Sequence, residues 1–177
     1  MLALLLLALL QLSDCEWCGA PEAPARLTNV ARLAPAKEPG ERIVVTGTIY
    51  SRDGRTPASN VLLYVYHTNA AGIYPKRGNE RGNDRRHGYL RGWLRTGADG
   101  RYRIESIRPG SYPSRRDPAH IHPTIKMAGH DEFWIDEFLF DDDPKLTPDR
   151  RKDQDGIMRM KKQGGVWVGV RNIVLPH

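Results

Sequence analysis

His120-Ile121-His122 sets two imidazoles one residue apart. On an extended strand, residues i and i+2 point to the same face, so both rings project together at a spacing that one metal ion can use. Ile121 turns the other way, into packing. Pro118 before the pair and Pro123 after it limit ladder pairing, which fits a strand end opening into a pocket. His-x-His alone is a weak motif, more often a pair of packed strand residues than a metal site. Two tyrosines add to it. Ala71-Gly72-Ile73-Tyr74-Pro75 and Pro109-Gly110-Ser111-Tyr112-Pro113 each hold a tyrosine between a glycine turn and a proline. Taken singly, each is most simply a turn that caps a sheet. Taken together, two tyrosinates and two neutral imidazoles supply two negative charges and two nitrogens, and hard anionic oxygens favour a hard, highly charged cation. Ferric iron fits, because a bound cation lowers the phenol pKa from its usual value of about 10. Such a set argues against the ferrous two-His-one-carboxylate oxygenases. No His-Glu-x-x-His occurs, which sets aside the zinc proteases.

These residues need a rigid frame, and the chain predicts an all-β one. Arg42 to Tyr50, Val61 to His67, Arg101 to Ile107, His120 to Met127, Phe133 to Phe140 and Val166 to Leu175 are strand-like runs rich in β-branched and aromatic residues. Turn pairs such as Asp53-Gly54 and Asp99-Gly100 punctuate them. One short helix fits between Lys145 and Lys161. The simplest arrangement is a β-sandwich with long functional loops and little helix. The loop from Asn69 to Gly88 is long enough to suggest function or mobility. His67 ends a strand near Tyr74 and is expected as strand-end packing or as support for a ligand. His87 and His130, in polar loops, are expected to be solvated. Trp134 and Trp167 are expected on the core or a sheet face, and Trp93 near the pocket.

The 177 residues suit one domain, with 40% hydrophobic and 27% charged residues. The net charge is +6, but acidic residues interleave the basic ones, so no nucleic-acid partner is expected. Attraction of anionic aromatic molecules is the milder reading of that charge. Leu2 to Leu10 is all Leu and Ala, too short to span a bilayer and suited to a secretory leader. Residues 1–18 are therefore expected to be a signal peptide or lipoprotein-type leader, 19–40 a Pro-rich linker lying over the domain, and 41–177 the sandwich. The only cysteines are Cys15 and Cys18. A local disulfide, or a membrane lipid anchor at Cys15, are the favoured readings, in an exported bacterial-type protein.

From Val61 to Pro144 the chain resembles the intradiol ring-cleavage dioxygenases, the family of protocatechuate 3,4-dioxygenase and catechol 1,2-dioxygenase. The resemblance is carried by His67-Thr68-Asn69-Ala70-Ala71-Gly72-Ile73-Tyr74, Leu90-Arg91-Gly92, Asp99-Gly100-Arg101-Tyr102, Ile107-Arg108-Pro109-Gly110-Ser111-Tyr112-Pro113 and Pro118-Ala119-His120-Ile121-His122, in the family's order. It implies a non-heme Fe(III) held by Tyr74, Tyr112, His120 and His122, with Tyr74 and His120 equatorial and Tyr112 and His122 axial. It implies O₂-dependent opening of a small aromatic diol between its hydroxylated carbons, with Tyr112 accepting a substrate proton. It leaves room for a homo-oligomer. Ile73 and Ser114 would line the substrate pocket; protocatechuate-type members tend to carry Trp at the latter position. The family usually places Arg where this chain has Asp117, and Gln where it has Glu137. Losing that cation works against stabilising charge on the substrate. Three explanations stay open: Arg116 takes over, or Asp117 and Glu137 serve another substrate with one of them protonated, or the protein binds iron and catechols while cleaving them weakly or not at all. A metal-free, transthyretin-like binding sandwich ranks lowest, since it leaves the four donors as coincidence.

Overall fold

In the computed structural model, which describes residues 17–152 and 155–176, the chain forms two β-sheets around one apolar core. The first sheet runs β1 (Val30–Arg32), β5 (Arg101–Ile107), β2 (Arg42–Tyr50), β11 (Val166–Val170) and β10 (Lys161–Gln163), with β12 (Ile173–Val174) also on β2. The second runs β4 (Arg91–Arg95), β3 (Leu62–His67), β6 (His120–Lys126), β8 (Phe138–Phe140) and β9 (Ile157–Met158), with β7 (Phe133–Trp134) on β6. The helices are short: α1 (Asp84–His87) and α2 (Pro148–Lys152).

Period-two patterning decides which face is which. On β2, Ile43, Val45 and Ile49 are buried between the sheets, and on β5 Tyr102 and Ile104 answer them. On β3, Leu63 and Val65 join this core, as do Ile121 and Ile125 of β6. Tyr64 and Tyr66 therefore point to the opposite, outer face of the second sheet. They are buried there too, because the chain folds back over them. Trp93 packs at a tilt against Tyr64 with ring centroids 5.2 Å apart, and His87 stacks on Tyr66 at 3.7 Å. All six residues of β3 are thus buried, which explains a strand with no polar alternation.

Several expectations change. Phe133 to Phe140 is two strands broken at Ile135–Glu137, and Val166 to Leu175 is two strands broken at Arg171–Asn172. Within the segment expected as a linker, Val30–Arg32 pairs in parallel with β5. The same segment begins with a strap. Gly19 and Ala20 donate their N–H groups to the Glu132 carboxylate (2.8 and 2.9 Å), and Trp93 Nε1–H donates to the Gly19 carbonyl (2.6 Å). His87 is buried rather than solvated: its Nδ1 is 2.7 Å from Tyr64 Oη, at the end of α1. Cys18 is disulfide-bonded, while residues 1–16 of the leader expected over 1–18, and any lipid at Cys15, lie outside the described residues.

His67 is completely buried between the sheets. Its Nδ1–H donates to the Thr68 carbonyl (2.6 Å), and the Ser106 hydroxyl donates to Nε2 (2.7 Å). It ties β3 to β5 and faces away from the outer face. Burial pushes its pKa down from 6.5 to about 4. The unfolded chain therefore takes up a proton below 6.5 that the folded chain refuses until about 4. This contribution to stability is fully present above the unfolded value and is lost as pH falls through that window. At about 1.36 kcal/mol per pH unit it is on the order of 3 kcal/mol. Urea unfolding of the metal-free protein is expected to show falling stability from pH 6.5 to 4, with a flatter profile for His67→Gln; equal slopes for both proteins would contradict the assignment.

Candidate metal centre

β6 carries the first two donors. Tyr66 of β3 lies directly opposite His122 in the ladder, and the two rings stack at 4.7 Å. His120 sits one pleat earlier, buried, with its Nδ1–H donating to the Pro118 carbonyl at 2.7 Å. A carbonyl only accepts, so His120 Nε2 carries a lone pair. The start of the strand is held by Asp143, a buried carboxylate that accepts the Ala119 N–H (2.8 Å) and the Lys145 N–H (2.7 Å).

Two interlocked turns bring the tyrosines. Asn69 Oδ1 accepts the N–H groups of Ala71 and Ile73 (3.0 and 3.1 Å), which shapes the turn ahead of Tyr74. The Asn69 carbonyl accepts the Gly110 N–H (2.9 Å), and Thr68 Oγ1 donates to the Gly110 carbonyl (2.7 Å). Gly72 has φ +77°, and a Cβ there would lie 2.0 Å from the Ser111 carbonyl oxygen. Glycine is required both for the backbone angle and for the contact. The two Tyr-Pro turns therefore form one unit, not two independent caps.

The four side chains meet. Tyr74 Oη is 2.5 Å from Tyr112 Oη, Tyr112 Oη is 3.1 Å from His122 Nε2, and His122 Nε2 is 3.0 Å from His120 Nε2. Donor atoms sharing one ion through bonds of about 2.0–2.2 Å lie about 3 Å apart when at right angles. With neutral imidazoles, the hydrogen atoms of the cluster leave one lone pair unanswered. With the His122 proton on Nδ1, its Nε2 can accept the Tyr112 hydroxyl at 3.1 Å, but the His120 Nε2 lone pair then faces another acceptor at 3.0 Å. With it on Nε2, the Nδ1 lone pair faces Glu137 Oε1 at 3.2 Å. A cation at the shared point removes the conflict, so the donor set fits a metal. Burial raises the Tyr74 and Tyr112 phenols and lowers the His122 imidazole. Neutral imidazoles are ready ligands, while the phenols need a strong positive charge to ionise.

The neighbours depart from the sequence expectations in specific ways. Asp117 is held by Arg150 of α2 at 3.0 Å, and this contact keeps its carboxyl below the usual range. Arg116 is exposed; the guanidinium over the Tyr112 ring, 5.5 Å from its centroid, belongs to Arg115. Burial pushes the Glu137 carboxyl up, but contact with His122 and the charges of His120 and His122 outweigh it and hold it low. Neither carboxyl is kept protonated by the other. His120, His122 and Glu137 form a possible metal-binding group, their ligand atoms all within 4.8 Å of one another. Ile73, 55% exposed, and Ser114, also exposed, sit on the same turns as the tyrosines. Trp134 lies against His122 at 5.4 Å and Trp17 against Trp134 at 5.9 Å, so the strap reaches the rim of the site. Arg150, Asp143 and the strap escaped sequence reasoning. A helix-borne arginine remote in sequence gives no local signal, but the buried Asp143 stands in Asp143-Pro144, a pattern that could have marked it.

A family model described as Dioxygenase matches residues 20–153, more than half of the chain. The chain belongs to the intradiol dioxygenase family. It is 34% identical over 116 residues to the protocatechuate 3,4-dioxygenase beta chain of Burkholderia cepacia, covering 62% of this chain and 49% of that one. It is 28% identical over 155 residues to catechol 1,2-dioxygenase 2 of Acinetobacter lwoffii, covering 77% and 54%. The chain thus spans about half the length of these curated relatives. Among solved structures, it resembles the dioxygenase domain of a dioxygenase–carbohydrate-binding protein fusion from Streptomyces sp. SirexAA-E, with 28% identity and TM-score 0.70 over 88% of this chain and 90% of that one. An intradiol ring-cleavage dioxygenase from Tetranychus urticae, 21% identical with TM-score 0.63 over 85% and 88%, shares the fold.

Gly72→Ala is expected to cost on the order of 1–3 kcal/mol, since it forces a left-handed alanine against the Ser111 carbonyl. Chemical denaturation measures this; wild-type stability in the variant would mean that the two turns are not locked together.

Proposed function

We propose that this chain is a non-heme ferric intradiol dioxygenase that opens a catechol-type ring between its two hydroxylated carbons, both atoms of O₂ entering the product. The observation that carries this reading is the convergence of Tyr74, Tyr112, His120 and His122, whose donor atoms stand 2.5–3.1 Å apart in a chain around one point. Those four residues would hold Fe(III), and the ion would supply Lewis acidity that polarises a bound catecholate toward O₂. The chain's own groups supply the rest. Tyr112 Oη is less buried than Tyr74 and lies next to a histidine, so it suits the residue that accepts a substrate proton. Tyr66 stacks on His122 and fixes its plane. Ile73 and Trp134 offer apolar surface for a ring. Arg115 brings positive charge beside the Tyr112 turn.

A second reading, an iron- and catechol-binding sandwich with weak or no turnover, is favoured by one observation. Asp117 is a carboxylate tied to Arg150, so at this position the chain presents a neutralised pair and no free cation. Developing negative charge on a substrate would find less stabilisation there.

Reconstitution separates the readings. The full chain loaded with ferric ion is expected to show a visible tyrosinate charge-transfer band, lost on Tyr74→Phe or Tyr112→Phe only in part and in the double variant wholly. A colourless ferric-loaded protein would sink both readings. Catechol or protocatechuate is expected to shift the band and start O₂ uptake; a shift without uptake selects the binding protein.

A further inference from the structure

We propose that Trp17, Trp134 and Glu137 form a subsite on the flank of His122 for a positively charged side chain, so that the preferred ligand is a catechol carrying an aminoalkyl group. The inference rests on the catechol reading above and deepens it, by naming what the ligand carries away from its two hydroxyls.

The first observation is aromatic surface that continues outward from the donors. Trp134 stands edge-on to His122 with ring centroids 5.4 Å apart, and Trp17 lies tilted against Trp134 at 5.9 Å. Trp17 is still 41% exposed at the end of this row. The strap is built to hold it there. Gly19 lies flat on Tyr64, where a Cβ would come 2.3 Å from the ring. The Gly19 and Ala20 N–H groups go to Glu132, and the Gly19 carbonyl accepts from Trp93. Asn83 Nδ2–H donates to the Cys18 carbonyl, and Cys18 is disulfide-bonded. Trp17 thus adjoins an anchored backbone, and an indole placed in advance loses little freedom when a ligand meets it.

The second observation is a carboxylate beside the same imidazole. Glu137 Oε1 is 3.2 Å from His122 Nδ1, on the side of the ring away from the Nε2 atom that meets the other donors. Its side chain is 40% exposed, so a ligand can reach it. The backbone fixes its place: the Glu137 carbonyl oxygen packs against Gly156, where a Cβ would lie 1.8 Å away.

The third observation is how the surrounding charges are committed. Asp117 is paired with Arg150, and Asp142 with Arg108. Glu132 accepts the two strap amides and the Thr124 hydroxyl. Lys126, further along β6, donates to the His130 carbonyl, and Arg115 stands over Tyr112 on a separate turn. Among the described residues, no lysine or arginine pairs with Glu137; its ion-pair neighbours are the two imidazoles. Asp136, next to it and exposed, adds charge of the same sign. An anionic substituent is therefore repelled on this flank. A neutral one gains only burial. An ammonium on a short arm gains both a carboxylate and indole faces, which attract cations through their ring electrons.

The test uses the ferric-loaded full chain, titrated without O₂ by calorimetry against three ligands of one shape. Dopamine carries the ammonium, ethylcatechol is its neutral counterpart, and dihydroxyphenylacetate carries a carboxylate. The wild type is expected to bind dopamine about tenfold more tightly than ethylcatechol, the sum of one exposed ion pair and one cation–π contact, and dihydroxyphenylacetate least tightly. Glu137→Gln and Trp17→Ala are each expected to cut the dopamine-to-ethylcatechol preference about threefold, and Trp17→Phe to keep most of it. A wild type without preference for dopamine would overturn the proposal. So would a preference that survives in both variants, including one where all three ligands weaken equally, since that marks a structural role for these residues. If none of the diols binds, the catechol reading fails and takes the subsite with it; if they bind with equal affinity, the subsite alone falls.

Discussion

Ile121 is buried between the sheets, and a pleated strand that sinks Ile121 into the core must lift His120 and His122 out of it on the other side. Nearly everything else about the site answers this constraint. Tyr66, opposite His122 in the ladder, is carried to the same outer face and supplies a flat surface against which the imidazole can rest. The long loop after β3 and the turn after β5 must then travel to that face to deliver Tyr74 and Tyr112. They arrive as one unit, because the Asn69 backbone and side chain serve both turns. An outer face bearing four aromatic rings would be exposed apolar surface if left bare. α1 and the residues 17–22 cover it, with Glu22 and Asp84 closing on Arg91.

Charge is arranged around this centre by pairs at different distances. Asp117 and Arg150 cancel one another at the edge, half exposed, where water weakens their effect on anything else. Arg108 and Asp142 do the same beyond β8, with a two-pronged contact of 2.8 and 2.6 Å. Beside the four donors stand the uncharged rings of Tyr66 and Trp134, the Arg115 guanidinium and the Glu137 carboxylate. The local field at the centre is therefore set by few residues. The excess basic charge of the chain belongs mainly to its surface.

Much of this was legible in the residues. The β2 run is rich in β-branched residues, the β5 run alternates charged and apolar residues, and their ends lie near turn signals, so their limits of Arg42–Tyr50 and Arg101–Ile107 can be read directly. The His-x-His spacing foretold which face the imidazoles share. What could not be read was anything that depends on two distant segments meeting. Val30–Arg32 looks like linker because its three residues gain their order only from β5. His87 looks solvated because its neighbours Arg85 and Arg86 are exposed while it turns onto Tyr66. Arg150 is one basic residue among many until α2 lays it on Asp117. Period and turn chemistry are local properties; ion pairs and stacked covers are not.

The position of the four donors on the outside of the second sheet, and not between the sheets, divides the sequence into two nearly separate inventories. Residues such as Ile43, Val45, Leu63, Ile104 and Phe138 hold the sheets together and never meet the donors. Residues such as Ile73, Ser114, Trp134 and Glu137 surround the donors and bury little core. Under mutation and selection, the interior of this sandwich can drift in shape while its chemistry is preserved. The rim can be rewritten, carboxylate for amide or cation, without threatening the fold. A scaffold partitioned in this way is well placed to be diversified, and the two unusual acids beside its histidines are the kind of change that such a partition tolerates.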